Sequence, residues 1–157
     1  MEPLSEQEIL RALDGTPDDI VLPDLTKVQW ELLDYFGWIH PSGQLGYIVV
    51  ISPDDGSVRG AVLRRSRFSG SKPGVEMCSL CHHVHRPSGT ALFTMMDKDP
   101  DLHRTIGNIV CKDLDCSLRV RNIKGPSGFL NETLYPEAKI WRMQLAVHKW
   151  LRGANRL

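Results

Sequence analysis

The chain has 157 residues, 41% of them hydrophobic, with 19 basic and 19 acidic side chains and no formal net charge. That length allows one compact domain, or one domain with a small appendage, and excludes two full domains. No run of 18 apolar residues exists to cross a membrane, and Met1-Glu2-Pro3-Leu4-Ser5-Glu6 carries acids where a secretion signal needs positive charge, so a cytoplasmic chain is expected.

The neutral total conceals a division. Residues 1–57 hold 11 acids and two bases, whereas residues 58–157 hold 17 bases and eight acids. A surface carrying the second part's excess would attract phosphates or an acidic protein face; folding the two parts together would cancel much of that field.

The elements begin with Ser5-Glu6-Gln7-Glu8, the signature of a capping box, which predicts a short helix over 6–13 ended by Asp14-Gly15-Thr16-Pro17. Leu25, Val28, Leu32 and Tyr35 or Phe36 fall at helical spacing and predict a second helix over 24–36, with Gly37 to Pro41 as its exit. Tyr47 to Ile51 is a β-prone run, Pro53-Asp54-Asp55-Gly56 is turn chemistry, and Val58 to Leu63 alternates, so these residues predict a hairpin. The basic, breaker-rich stretch Arg64 to Gly74 predicts an exposed connection. Thr90–Met96 and Gly107–Val110 are expected as strands, and Ser117–Ile123 as a helix that stops before Gly125-Pro126-Ser127-Gly128. The last helix starts at Pro136 and runs to Gly153, its broad apolar face including Ala138, Ile140, Trp141, Met143, Leu145, Val147 and Leu151; Trp141 and Trp150 are expected in the core.

The four cysteines read Cys78-x2-Cys81 and Cys111-x4-Cys116. In a chain without a secretion signal, reduced thiols are the default, and two short chelating pairs suit one tetrahedral zinc with ligands Cys78, Cys81, Cys111 and Cys116. Cys78-Ser79-Leu80-Cys81 has the length of a zinc knuckle. Asp113 is expected to cap a helix beginning near Leu114, from whose first turn Cys116 projects. Knuckle, strands and then a helix carrying the last ligand is the order of a treble-clef finger. Four thiolates close the metal shell, so the zinc is expected to be structural. His82, His83 and His85 are expected as polar residues on an exposed knuckle, with replacement of a cysteine or outer hydrogen bonding as the alternatives. His103 is left open in the same way.

A zinc deaminase would need His-x-Glu ahead of Pro-Cys-x-x-Cys, and a thioredoxin-like pair would open a helix that Arg86-Pro87-Ser88-Gly89 forbids. A cysteine nucleophile with a histidine base is compatible with the spacing but leaves three cysteines unexplained. No phosphate loop, His-Glu-x-x-His or Gly-x-Ser-x-Gly occurs, so a non-enzymatic role is expected.

Tyr35-Phe36-Gly37-Trp38, Gly56-Ser57-Val58-Arg59-Gly60, Cys78-Ser79-Leu80-Cys81, Ala91-Leu92-Phe93 and Gly107-Asn108-Ile109-Val110-Cys111 with Cys116 form an ordered set. In these features the chain resembles the C-terminal treble-clef zinc-finger domain of the FusB-type elongation factor G-binding (FBP) proteins. The resemblance implies one zinc on the four cysteines and a partner in elongation factor G or a related translation factor, with release of that factor from a fusidic acid-trapped ribosome as the family's role. Full-length resistance proteins of this type carry an N-terminal helical bundle, whereas here a short acidic segment precedes the match. Where the family's contact surface has an aromatic residue in the first knuckle and a lysine and a tyrosine before the third cysteine, this chain has Leu80, Ile106 and Ile109. Candidate partner contacts are Leu80, Phe93 and Ile109, with Arg104, Arg119 and Arg121 as charged ones. Ribosomal RNA, met by Arg64, Arg65, Arg67 and the arginines after Cys116, is the alternative partner.

The expected fold is α+β: small antiparallel β lobes, a treble-clef-like four-cysteine zinc finger and a C-terminal helix. The expected organisation is an acidic segment over 1–25 and a zinc-finger domain over 26–157, as a monomer without membrane association.

Overall fold

Ser5 starts the first helix, α1 (Glu6–Ala12): its hydroxyl accepts the Glu8 amide at 3.3 Å while the Glu8 carboxylate accepts the Ser5 amide at 2.8 Å, completing the capping box. The computed structural model describes residues 1–14, 20–66, 75–124 and 132–157. The strands are β1 (Phe36–Ile39), β2 (Leu45–Ile51), β3 (Val58–Ser66), β4 (Glu76–Met77), β5 (Val84–His85), β6 (Thr90–Met96) and β7 (Thr105–Cys111). Two more helices follow, α2 (Cys116–Val120) and α3 (Pro136–Gly153). Five strands form one antiparallel sheet in the order β1-β2-β3-β6-β7, and β4 pairs with β5 alone.

The hairpin of β2 and β3 is where the β-branched run and its Asp-Asp-Gly turn put it. Strand β2 is buried on both sides, because Ile48 and Val50 enter one core and Tyr47 and Val49 the other. The first core lies under α3, whose Met143, Val147, Trp150 and Leu151 pack over Leu63, Phe93, Met95 and Val110. The second is roofed by the N-terminal segment. Leu4, Ile9, Leu13 and Ile20 join Trp30, Phe36, Trp38 and Tyr47, so residues assigned to a separate leading segment pack into the sheet. Gly60 permits that contact: a Cβ there would lie 2.9 Å from the Ile48 carbonyl oxygen and 3.2 Å from that of Ala12, at the end of α1.

The helix expected over 24–36 is not formed. Its residues make two 3-10 turns, Leu25–Lys27 and Trp30–Leu32, and then enter β1. The helical spacing of the leucines is outweighed by aromatic packing, since Trp30 packs tilted on Phe36, which stacks on Trp38 and that on Tyr47, with centroids 4.9, 4.8 and 4.7 Å apart. Phe36 and Trp38 can face the same way only in an extended strand. The α3 expectation also needs correction on one side. Trp150 is core, but Trp141 and Leu145 are 64% and 47% exposed, so the helix has a second apolar stripe that faces outward. Of the expected basic connection after Arg64, β3 takes Arg64 to Ser66, and residues 67–74 lie outside the described residues, as does the expected stop at 125–128.

Candidate metal centre

The first cysteine pair sits on the turn between β4 and β5. The Cys78 amide donates to the His83 carbonyl at 3.1 Å, the His82 amide to the Cys78 carbonyl at 3.0 Å, and His82 takes the left-handed conformation at φ 57°. This tight loop points the Leu80 and Cys81 amides at the Cys78 sulfur, at 3.4 and 3.5 Å. Ser79 hooks the loop to the large sheet by donating to the Ile109 carbonyl of β7 at 2.8 Å. Glu76 clamps the chain after β5, accepting from the Ser88 amide (3.1 Å) and from both the amide and hydroxyl of Thr90 (3.0 and 2.7 Å).

The second pair joins the end of β7 to the start of α2. Leu114 donates to the Cys111 carbonyl at 3.0 Å and is itself left-handed at φ 60°, so the helix cannot begin at Leu114; it begins at Cys116. Asp113 therefore does not cap it. Its carboxylate instead accepts from the Asp115 amide at 3.2 Å and pairs with Arg119 and Lys124. The strained turn is held from the residue before β1, where the Tyr35 hydroxyl donates to the Leu114 carbonyl at 2.7 Å in a buried contact. Gly37 leaves room for it, because a Cβ there would stand 2.9 Å from Leu114 Cβ.

These two turns bring the sulfurs of Cys78, Cys81, Cys111 and Cys116 within 4.8 Å of one another, all buried. Cys78 and Cys116 are 3.6 Å apart, Cys81 and Cys111 3.5 Å. A disulfide would need about 2.05 Å. A zinc tetrahedron with bonds of about 2.3 Å has sulfur edges of about 3.8 Å, so the arrangement suits one structural zinc. Such a shell is filled by its four thiolates and leaves no position for substrate or water.

Three of the four thiols are shifted by one another and by burial. Burial pushes Cys78 up, but hydrogen bonds from the Cys111, Cys116 and Cys81 thiols outweigh it and hold Cys78 well below the usual thiol value. Hydrogen bonds with Cys111, Cys78 and Cys81, then burial, push Cys116 well above it. A divalent cation is bound by the cysteines as thiolates, so metal binding displaces the thiol protons. Tyr35 is raised well above its ordinary value, chiefly by burial, which keeps its hydroxyl proton for Leu114.

The histidines divide. His82 is exposed, as expected of a knuckle residue. His85 is buried, and its Nε2 lies 3.2 Å from the Cys111 sulfur, which the expectation of an exposed polar residue missed. Burial, then Arg119, then His83 lower its affinity for a second proton, and His83 packs edge-on against it at 4.6 Å. His103 is exposed and ends the turn Pro100–Leu102.

The candidate partner contacts are spread over core and surface. Leu80 and Phe93 fill the α3-side core at 1% and 0% exposure. Arg119 pairs with Asp113, and Arg121 holds Asp34 through two hydrogen bonds while Gln144 of α3 and Ser117 of α2 bind the same residue. Arg104 pairs with buried Asp97 and the Gly153 carbonyl. Ile109, 37% exposed, stands on the sheet face opposite α3. On that face Leu45, Val62, Arg64, Thr94, Met96, Thr105 and Arg156 line a half-open groove of about 690 Å³. Among the described residues no helix is long and apolar enough to span a membrane.

Comparison with known proteins agrees with this centre. No curated protein matches the chain. Among solved structures, that of the fusidic acid resistance protein FusC matches with a TM-score of 0.58 at 20% identity, over 74% of this chain and 52% of that one. At that identity the likeness is one of fold, and the match spans about half the length of FusC. The family model described as the FBP C-terminal treble-clef zinc-finger matches residues 9–153, taking in both cysteine pairs, α3 and all seven strands. The chain belongs to the FBP C-terminal treble-clef zinc-finger family.

Proposed function

We propose that the chain is a non-enzymatic binding protein that docks on elongation factor G or a related translation factor and alters that factor's hold on the ribosome. Membership of the FBP zinc-finger family over residues 9–153 is the observation that carries this reading. The filled four-thiol shell supports it, because zinc without an open position holds shape rather than activating a substrate. The fold likeness to a fusidic acid resistance protein is consistent with protection of translation as the outcome. Docking moves the factor's equilibrium only if its affinity differs between the ribosome-bound and free conformations.

The sheet face carrying Ile109 is the docking surface in this reading. Arg64 lies beside Thr94 across β3 and β6, and Val62, Met96 and, further along the sheet opposite Leu92, Ile109 are exposed apolar residues on the same face. An RNA partner is less well served: Arg119 and Arg121 are held by carboxylates, Arg65 donates to the Gly43 carbonyl, and the groove has no aromatic side chain for base stacking. The test is titration of the zinc-loaded chain with elongation factor G, using Ile109→Asp and Arg64→Glu. A one-to-one complex weakened by both variants is the expected result; absence of a complex with the unaltered chain, or equal affinity in both variants, would refute the docking surface and its partner.

A further inference from the structure

We infer that His85 is the outer hydrogen-bond donor to the Cys111 sulfur, and that it sets how long the four-cysteine site retains its metal. A divalent cation bound by four thiolates leaves two negative charges in a buried place, and buried charge needs donors around it. Two of them are backbone amides, Leu80 and Cys81, and both serve Cys78. Arg142 reaches the Cys81 carbonyl at 3.4 Å, bringing a cation near that side of the site. Apart from the other cysteine thiols, the hydrogen-bond contact to the Cys111 sulfur among the described residues is His85 Nε2. Metal binding removes the thiol proton, and His85 is then the remaining donor.

The ring has a built seat. Strand alternation turns His85 inward from β5, and the loop after it folds back so closely that a Cβ on Gly89 would lie 2.4 to 2.6 Å from the Cβ, Nδ1 and Cγ of His85. Only glycine fits under this ring. Glu76 fixes Ser88 and Thr90 on either side of Gly89, and the Gly89 carbonyl accepts the amide of Lys112, the residue after Cys111, at 3.1 Å. The loop that seats the ring is therefore tied to the turn that carries its sulfur partner. His83 closes the remaining side edge-on. The four sulfurs already complete a tetrahedron, so His85 acts through Cys111 and is a positioning residue, with its single ring proton on Nε2.

The test measures zinc transfer from the loaded chain to a chromogenic chelator for the unaltered protein, His85→Gln and His85→Leu. Leucine fills the seat without a donor and is expected to release zinc roughly 10–100-fold faster, whereas glutamine keeps a donor and stays close to the unaltered rate. On the unaltered chain, long-range proton–nitrogen NMR should place the ring proton on Nε2. With cadmium-113 in place of zinc, a scalar coupling should pass from the metal through Cys111 to that proton. These two measurements decide the matter if the leucine variant does not fold. Unchanged release from a folded leucine variant, a proton on Nδ1, or a nitrogen atom in the zinc shell by X-ray absorption would overturn the inference.

Discussion

Replacing Tyr35 by phenylalanine isolates how the chain entering β1 supports the metal centre. Tyr35 is 2% exposed, and its hydroxyl donates to the carbonyl of left-handed Leu114, between the third and fourth cysteines. Phenylalanine keeps the ring, so no cavity opens and packing is nearly unchanged. What is lost is a buried hydrogen bond, leaving the Leu114 carbonyl without its donor, a cost of about 1–3 kcal/mol. At roughly 2–4 °C per kcal/mol for a chain of this size, the melting temperature should fall by about 2–12 °C. The assay is thermal unfolding of both proteins at the same free zinc concentration, because metal bound to the folded state alone also raises the midpoint. Zinc release should be faster in the variant, since the turn between two ligands has lost its clamp. A melting temperature unchanged to within about 1 °C would refute the argument that the Tyr35 contact holds the second cysteine turn.

Four further outcomes follow from the same geometry. Cys111→Ser should abolish zinc binding and unfold the lobe built from β4, β5 and α2, because metal binding is worth about 10–16 kcal/mol in isolated fingers; metal analysis and circular dichroism check it. Gly60→Ala should destabilise by about 1–3 kcal/mol, because its Cβ meets backbone at the Ile48 oxygen and displaces α1; urea unfolding reads this. Trp150→Ala should cost about 3–5 kcal/mol, while exposed Trp141→Ala should stay within about 0.5 kcal/mol of the unaltered chain. Burial raises the Asp113 carboxyl, but Arg119, the Asp115 amide and Lys124 together bring it below its ordinary value of 3.8. Its stabilisation is therefore present above that value and lost as the pH falls through the lowered one. Asp113→Asn should accordingly be less stable than the unaltered chain at pH 7, with the gap closing in acid.

What could be read from the sequence depended on how local the cause was. The β2–β3 hairpin, the capping box at Ser5 and the start of α3 at Pro136 each rest on neighbours in the chain, and each stands as expected. The paired spacing of the cysteines likewise pointed to a cluster before any distance was known. The stretch over 24–36 misled because its leucines obey a helical period while its fate is decided by Trp38 and Tyr47, which become stacking partners only once β1 pairs with β2. The β-prone Tyr-Phe-Gly-Trp-Ile run was the available counter-signal. Asp113 looked like a cap because nothing local marks Leu114 as left-handed; the turn is bonded instead to Tyr35, 79 residues away in the chain. For His85 the sequence favoured an exposed position over the outer hydrogen bond it also allowed, for a similar reason. Its inward direction follows from β4–β5 pairing over only two residues, too short for alternation to be visible.

The central claim is that one zinc on Cys78, Cys81, Cys111 and Cys116 organises a platform that binds elongation factor G. Native mass spectrometry of the purified chain, before and after addition of that factor, tests it most directly. The account predicts one zinc per chain and a one-to-one complex that retains it. Four free thiols without metal would contradict the structural centre, and a zinc-loaded chain that forms no complex would contradict the proposed partner.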